Sequence, residues 1–184
     1  MKKENKEEIM KRIKEAGNPE NYETSWSDEG VPVSKKKTEI KKGRVSKARG
    51  ARFELRVRKD LENKGRVVDK WNNNVDLEEG KIIPVKRKFL RKPFGQGFYM
   101  GISAIGTGFP DFISIKHIYK ENYSVIGVEV KMNGILSKIE KQKCAWYLKN
   151  KIFSQIWIAK KGAKRGQIEY DDFLEKYGKK YNKT

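Results

Sequence analysis

Two acidic residues and a lysine stand out because they border short apolar strands, where an unused charge costs desolvation free energy. Residues 125–131 are short, alternating and rich in β-branched side chains, which predicts a β-strand. Successive side chains point to opposite faces, so Glu129 and Lys131 share one face of this strand. Asp111 begins a second apolar strand over residues 112–115. A hairpin of the two strands would bring Asp111 towards Glu129 at one end of a sheet.

Two carboxylates beside a lysine have the composition of a divalent-metal phosphodiesterase site. Mg²⁺ prefers hard oxygen ligands, commonly one or two carboxylates together with water and phosphate oxygens. For Glu129 and Lys131 taken alone, a structural salt bridge is the default interpretation. A lysine in such a site can stay cationic, because carboxylates raise its pKa, or can titrate, because metal and burial lower it. The sequence leaves that balance open.

A helix is predicted over residues 46–64, ending at Gly65. Three apolar side chains at helical spacing form one arc that would face the core: Phe53, Val57 and Leu61.

Glu54 lies at the edge of this apolar arc. A salt bridge at the rim, with Lys47 or Arg58, is one explanation for an acidic residue in that position.

The remaining periodic segments predict an α/β domain with a central mixed β-sheet and a helix on each face. Strands are expected at residues 66–71, 153–159 and 167–170, and a closing helix at 171–177, followed by a charged tail over 178–184. Ser137 and Glu140 form a capping box that opens a helix reaching about residue 149. Residues 72–108 form an insert, with a basic flap or hairpin tip over residues 86–92.

Residues 1–45 are expected to form a basic N-terminal arm outside the domain, which spans residues 46–177. A short helix is possible at residues 3–16. Residues 25–42 are polar and aperiodic, which favours a linker or a disordered arm.

The net charge of +19 indicates a polyanionic partner, with nucleic acid favoured over an anionic membrane surface. The basic residues are clustered: residues 41–52 and residues 81–92 each contain six and no acidic residue. A single cysteine, Cys144, excludes an internal disulfide framework and a cysteine zinc site. No apolar segment is long enough for a membrane helix and no signal region is visible, so we expect a soluble intracellular protein.

Four short segments together resemble the PD-(D/E)xK nuclease superfamily, within which archaeal Holliday-junction resolvases and virus-type replication-repair nuclease (VRR-NUC) domains look most similar. The segments are residues 50–54 (Gly-Ala-Arg-Phe-Glu), residues 108–111 (Gly-Phe-Pro-Asp), residues 129–131 (Glu-Val-Lys) and Gln142. The resemblance covers residues 47–159 and leaves out the arm and the 72–108 insert. The insert is longer than a minimal resolvase needs.

The resemblance implies a restriction-endonuclease-like core in the order αβββαβ and a metal-dependent DNA endonuclease of prokaryotic, archaeal or viral type. Asp111 and Glu129 would hold Mg²⁺ or Mn²⁺, and Glu54 would complete the acidic site. Lys131 would orient the attacking water or stabilise the transition state, and Gln142 would align Lys131 or water from an inward helix face. Branched DNA, such as a Holliday junction, is the favoured substrate, and a homodimer is implied.

A set of basic residues is expected to contact DNA phosphates, which position a duplex without reading its sequence. The set is Lys47, Arg49, Arg52, Lys86, Arg87, Lys88, Arg91, Lys92 and Lys138. Three alternatives stay open. They are a restriction, flap or nicking endonuclease, a non-catalytic nucleic-acid-binding protein with a structural acidic cluster, and an RNA-binding protein linked to translation.

Overall fold

The computed structural model describes residue 14 and residues 18–26, 32–85, 87–94, 98–105 and 108–181. Within residues 87–94 and 98–105 only the backbone is described. Two of the sequence-based predictions fall outside these ranges: the helix at residues 3–16, of which only residue 14 is described, and the role of Lys86. The chain divides into two compact units, residues 1–52 and residues 53–184.

The first unit contains a polar hairpin in place of the expected linker. Strands β1 (Tyr22–Trp26) and β2 (Pro32–Lys36) pair antiparallel. Helix α1 (Lys37–Asn63) follows at once, with the Lys37 amide donating to the Asn21 carbonyl at 2.8 Å. The prediction of a linker or disordered arm is therefore wrong for residues 25–26 and 32–42, while residues 27–31 lie outside the described range. These segments have no apolar stripe, and hydrophobic periodicity is the signal on which the prediction rests.

The rest of the chain forms nine strands and two further helices within the described ranges. They are β3 (Val67–Lys70), β4 (Asn73–Asp76), β5 (Lys81–Pro84), β6 (Arg87–Phe94), β7 (Phe98–Ile105), β8 (Phe112–Tyr119), β9 (Asn122–Val130), α2 (Lys138–Lys149), β10 (Gln155–Lys161), β11 (Ile168–Asp172) and α3 (Phe173–Tyr181).

Five of these strands form a mixed central sheet in the order β11-β10-β9-β8-β3. Only β9 and β10 pair in parallel, and the other neighbours are antiparallel. The prediction of a mixed α/β fold is confirmed, as is the hairpin of β8 and β9. The segment predicted as an insert contains two separate hairpins, β4 with β5 and β6 with β7. The residues expected at a flap tip, Arg87, Lys88, Arg91 and Lys92, lie instead along strand β6.

The sheet separates two apolar clusters, one on each face. The predicted arc of α1 is buried, because Phe53, Val57 and Leu61 are at most 1% exposed and pack with β-strand residues such as Val128. The α1 helix also ends within one residue of the predicted end, at Asn63, and Gly65 follows with a φ of 71°. On the other face, α2 and α3 contribute buried residues that include Cys144. None of the described helices combines the length and apolarity that crossing a membrane would require.

Candidate active site

A tight backbone approach fixes the segment that carries Asp111. The Phe109 amide donates to the Asn73 carbonyl at 2.9 Å, and the Trp71 amide donates to the Asp111 carbonyl at 3.2 Å. Just before Phe109, Gly108 lies so close to the backbone of Trp71 that a Cβ would sit 1.8 Å from the Trp71 carbonyl oxygen. Only glycine fits there, because the obstacle is backbone and cannot rotate away.

A second glycine makes room for the proline that precedes Asp111. A Cβ on Gly127, in the middle of β9, would lie 2.8 Å from Cγ of Pro110. The neighbouring residues Phe112 and Val128 are cross-strand partners, so Asp111 leads directly to the end of β9.

Asp111 and Glu129 meet at that end, and each carboxylate accepts a hydrogen bond from a backbone amide of the opposite segment. The Asp111 amide donates to Oε2 of Glu129 at 3.2 Å, and the Val130 amide donates to Oδ2 of Asp111 at 2.9 Å. The structure thus brings together the two carboxylates that the hairpin was expected to bring together.

The two carboxylates are buried close to each other, which disfavours two negative charges. Glu129 is 4% exposed. Burial, followed by the charge of Asp111, raises the pKa of Glu129 to about 8. Burial also raises the pKa of Asp111, and the Glu54 charge adds to this rise, against the Val130 hydrogen bond. A cation between the two carboxylates would relieve both costs.

Lys131 lies beside this pair and is bound by two carboxylates. Its Nζ is 3.1 Å from Oε1 of Glu129 and 2.7 Å from Oε1 of Glu140. Burial by itself would lower the pKa of Lys131, but the Glu140 hydrogen bond and the Glu129 charge outweigh it and raise the pKa. Since the pKa of Glu129 is raised, Glu140 is the main anionic partner at neutral pH. Among the protein groups alone, the carboxylates therefore prevail over burial and keep Lys131 cationic.

Glu140 is a site residue to which the sequence analysis gave only a capping role. Its Oε2 accepts from the Ser137 amide at 2.7 Å, and its own amide donates to Oγ of Ser137 at 3.3 Å, so the predicted capping box is present. Burial favours the neutral form of Glu140, but the bonds from Lys131 and Ser137 outweigh it and lower its pKa. The available signal was an acidic residue in the first turn of the helix that follows the Glu129–Lys131 strand.

Gln142 lies away from this cluster of carboxylates and lysine. It is exposed, and within the described part of the chain its side-chain amide makes no hydrogen bond. Ile139, which was expected to share its inward face, is 59% exposed. The buried side of α2 runs instead through Cys144 and Tyr147. The expectation of an inward Gln142 is wrong, because its helix is rotated so that Glu140 is the residue nearest Lys131.

Glu54 forms a salt bridge with Lys70, and not with Lys47 or Arg58 as predicted. Its Oε2 is 2.7 Å from Nζ of Lys70 on β3, whereas Arg58 binds Glu62 at 2.9 Å. The carboxyl of Glu54 is half-buried, and its charge still reaches Asp111, whose pKa it raises. Glu54 is thus an electrostatic neighbour of the carboxylate pair.

The donor set fits a hard cation held by few protein ligands. Among the described residues there is no group of three or more His, Cys, Asp or Glu side chains placed to hold a metal ion. Asp111 and Glu129 nevertheless supply oxygen donors only, and two carboxylates are what Mg²⁺ sites commonly use.

The basic residues expected to bind DNA are exposed wherever their side chains are described. Lys47, Arg49 and Arg52 lie on α1 in the first unit, and Lys138 is the first residue of α2.

The buried pair predicts a stability that depends on pH. The pKa of Glu129 is about 8 in the folded state, against an ordinary value of 4.5, so the folded state retains a proton that the unfolded chain releases. The free energy of unfolding should therefore fall as pH rises from about 4.5 to about 8, by roughly 3–5 kcal/mol. Glu129→Gln should remove most of this loss. Urea unfolding in EDTA across this pH range measures it.

Glu78→Gln, at an exposed carboxylate, is the matched control and should keep the wild-type pH dependence. Equal pH dependence in wild type and Glu129→Gln would contradict the assignment of the proton to this pair.

Comparison with known proteins gave no match: no protein-family model, no curated protein and no solved structure matches the chain.

Proposed function

We propose that the chain is a metal-dependent endonuclease with a PD-(D/E)xK-type site, which hydrolyses phosphodiester bonds in DNA. The observation that carries the proposal is the convergence of Asp111, Glu129 and Lys131 at one end of the central sheet. A buried pair of carboxylates beside a lysine is costly in a purely structural role, and its arrangement suits a phosphate-cleaving site.

The order of elements supports the same proposal. Helix α1 is followed by β3, β8 and β9 of the central sheet, then by α2 and β10. This is the αβββαβ order of the restriction-endonuclease-like core that the resemblance implies, with β4 to β7 inserted between its first two strands.

Asp111 and Glu129 would hold the cation, with Glu54 close enough to influence it. When bound, Mg²⁺ or Mn²⁺ supplies Lewis-acid activation and neutralises the charge that develops on the phosphate. It would also allow both carboxylates to ionise at neutral pH.

Lys131 acts as a permanent cation in this proposal. Because its pKa is raised, it would donate hydrogen bonds to the attacking water or to a phosphate oxygen, on which it would stabilise negative charge. Glu140 is a positioning residue: it holds the ammonium group through Oε1 while Oε2 fixes the helix terminus.

The net charge of +19 supports a nucleic-acid substrate, and the resemblance favours branched DNA and a homodimer. A second candidate is a nucleic-acid-binding protein without catalysis. The observation favouring it is that Glu54 and Glu140 are both neutralised by lysines, so only two carboxylates are available to a metal.

A substrate panel tests the proposal. Protein freed of metal is given Mg²⁺ or Mn²⁺ and three DNAs of shared sequence: a four-way junction, a splayed flap and a linear duplex. We expect cleavage, fastest for the junction. We also expect unlabelled DNA to displace bound labelled DNA better than RNA does. Preferential cutting of the flap or duplex would reassign the substrate. Binding without cleavage in either metal would establish the non-catalytic alternative.

A further inference from the structure

Apart from the candidate active site, a basic pocket lies at the turn between β10 and β11. A pocket of about 250 Å³ is lined there by four cationic residues, Arg56, Lys161, Lys164 and Arg165, together with small residues and Gln167. The lining contains no aromatic and no acidic side chain. Its chemistry is therefore that of a site for a single compact anion.

The four cations of the pocket lack acidic partners in the part of the chain that the structure describes, where the salt bridges join other residues. The neighbouring lysine shows the contrast. Lys160 points to Asp171 at 2.7 Å and is neutralised within the fold. Four clustered cations without carboxylates repel one another, and an anion in the pocket would remove that repulsion.

Hydrogen bonds within the turn hold the pocket in shape. The Gly162 amide donates to the Gln167 carbonyl at 2.9 Å, and the Gln167 amide donates to the Lys164 carbonyl at 3.1 Å. The Lys164 amide also donates to Oε1 of Gln167 at 3.2 Å. The backbone of the turn is therefore already ordered before an anion binds, and only its exposed cationic side chains have to be ordered.

The pocket opens at the end of the sheet that carries the candidate active site. Strands β9 and β10 are parallel, with Ala159 opposite Val130, and the Lys161 amide donates to the Met132 carbonyl at 3.3 Å. The turn therefore leaves the sheet next to Lys131, one strand spacing of about 4.8 Å across. Helix α1 also contributes to both places: Arg56 lies about 3 Å further along the axis than Glu54 and about 200° around it, so its side chain reaches the pocket and that of Glu54 reaches Lys70 of β3.

We propose that this pocket binds one backbone phosphate of the nucleic acid, beside the phosphodiester bond that lies at Asp111 and Glu129. The inference rests on the nucleic-acid substrate of the proposed function but does not require cleavage. Arg56 and Arg165 can each donate two hydrogen bonds to one phosphate group, while the lysines add charge. Without an aromatic platform for a base, the pocket reads no sequence and fixes the position of the strand.

A charge-matched pair of variants tests the pocket. The pocket variant is Lys161→Gln, Lys164→Gln and Arg165→Gln. The control is Lys149→Gln, Lys179→Gln and Lys180→Gln, at exposed lysines that form no salt bridge among the described residues. Binding of a labelled four-way junction in EDTA is measured from low to high salt. We expect the pocket variant to bind about tenfold more weakly and to lose about one unit of the slope of log Kd against log salt. The control should keep the wild-type slope.

Replacing single DNA phosphates by an uncharged group identifies the phosphate that the pocket binds. A methylphosphonate placed at successive positions should weaken wild-type binding most at one phosphate near the cleavage position. In the pocket variant, the same substitution at that phosphate should have no further effect, because both changes remove one contact. Arg56→Gln changes a residue of α1 instead of the turn. It should also weaken binding, and the methylphosphonate at the same phosphate should have no further effect on it. This variant carries the test if the triple variant does not fold.

Three results would overturn the inference: equal losses in pocket and control variants, additive effects of variant and methylphosphonate, or strong competition by inorganic phosphate, which would indicate a site for a free anion. Absence of cleavage by the wild type would sink the endonuclease and leave these binding results unaffected.

Discussion

Asp111→Asn should reduce DNA cleavage by about 10³-fold or more while leaving DNA affinity in Ca²⁺ nearly unchanged. The substitution keeps the shape of the side chain and can still accept the hydrogen bond from the Val130 amide. It removes the negative charge through which Asp111 and Glu129 would hold a cation. Single-turnover cleavage with Mg²⁺ and equilibrium binding with Ca²⁺ measure the two effects separately.

The stability of the same variant should move in the opposite direction. Asn at this position removes a like charge from beside buried Glu129, so the metal-free variant should unfold at a higher urea concentration than the wild type. Glu121→Gln, at an exposed position in the turn between β8 and β9, should leave both measurements unchanged. Wild-type cleavage by Asp111→Asn would remove Asp111 from the site and with it the proposed chemistry.

Gly108→Ala adds a single methyl group and should destabilise the fold strongly. The Cβ of alanine would lie 1.8 Å from the Trp71 carbonyl oxygen, so the Gly108–Asp111 segment must move away from the connection between β3 and β4 on which it packs. We expect a loss of about 3 kcal/mol or more in the free energy of unfolding, together with loss of cleavage. Urea unfolding and the junction assay measure these effects.

Gly50→Ala is the matched control, since no atom lies within 4 Å of a Cβ there and the residue is inside helix α1. It should raise stability by about 0.5–1 kcal/mol, because alanine favours the helix. If both alanine variants unfold at the wild-type midpoint, the close approach at Gly108 does not exist in solution.

The parts of the fold that follow local patterns were predictable. The arc of α1, the hairpin of β8 and β9 and the capping box of α2 each depend on residues within a few positions of one another. The meeting of Asp111 and Glu129 follows from the hairpin alone, so the carboxylate pair was predictable as well.

What the sequence could not supply depends on side-chain direction and on polar elements. The β1–β2 hairpin and the first turns of α1 have no apolar stripe. Glu140 and Gln142 lie two residues apart on one helix, about 200° apart around its axis, and only packing decides which of them reaches Lys131. The sequence pattern favoured Gln142, and the burial of Cys144 and Tyr147 places Glu140 there instead.

The parallel pairing of β9 with β10 also affects the order in which the growing polypeptide can complete its site. Parallel neighbours need a crossover, here through α2, so the strand of Glu129 has an open edge until residues 155–161 have left the ribosome. The Lys131 amide finds its partner, the Ala159 carbonyl at 2.9 Å, only then. The β8–β9 hairpin can therefore bring the two carboxylates together before β10 is added, whereas the backbone of Lys131 is fixed only when β10 pairs with β9.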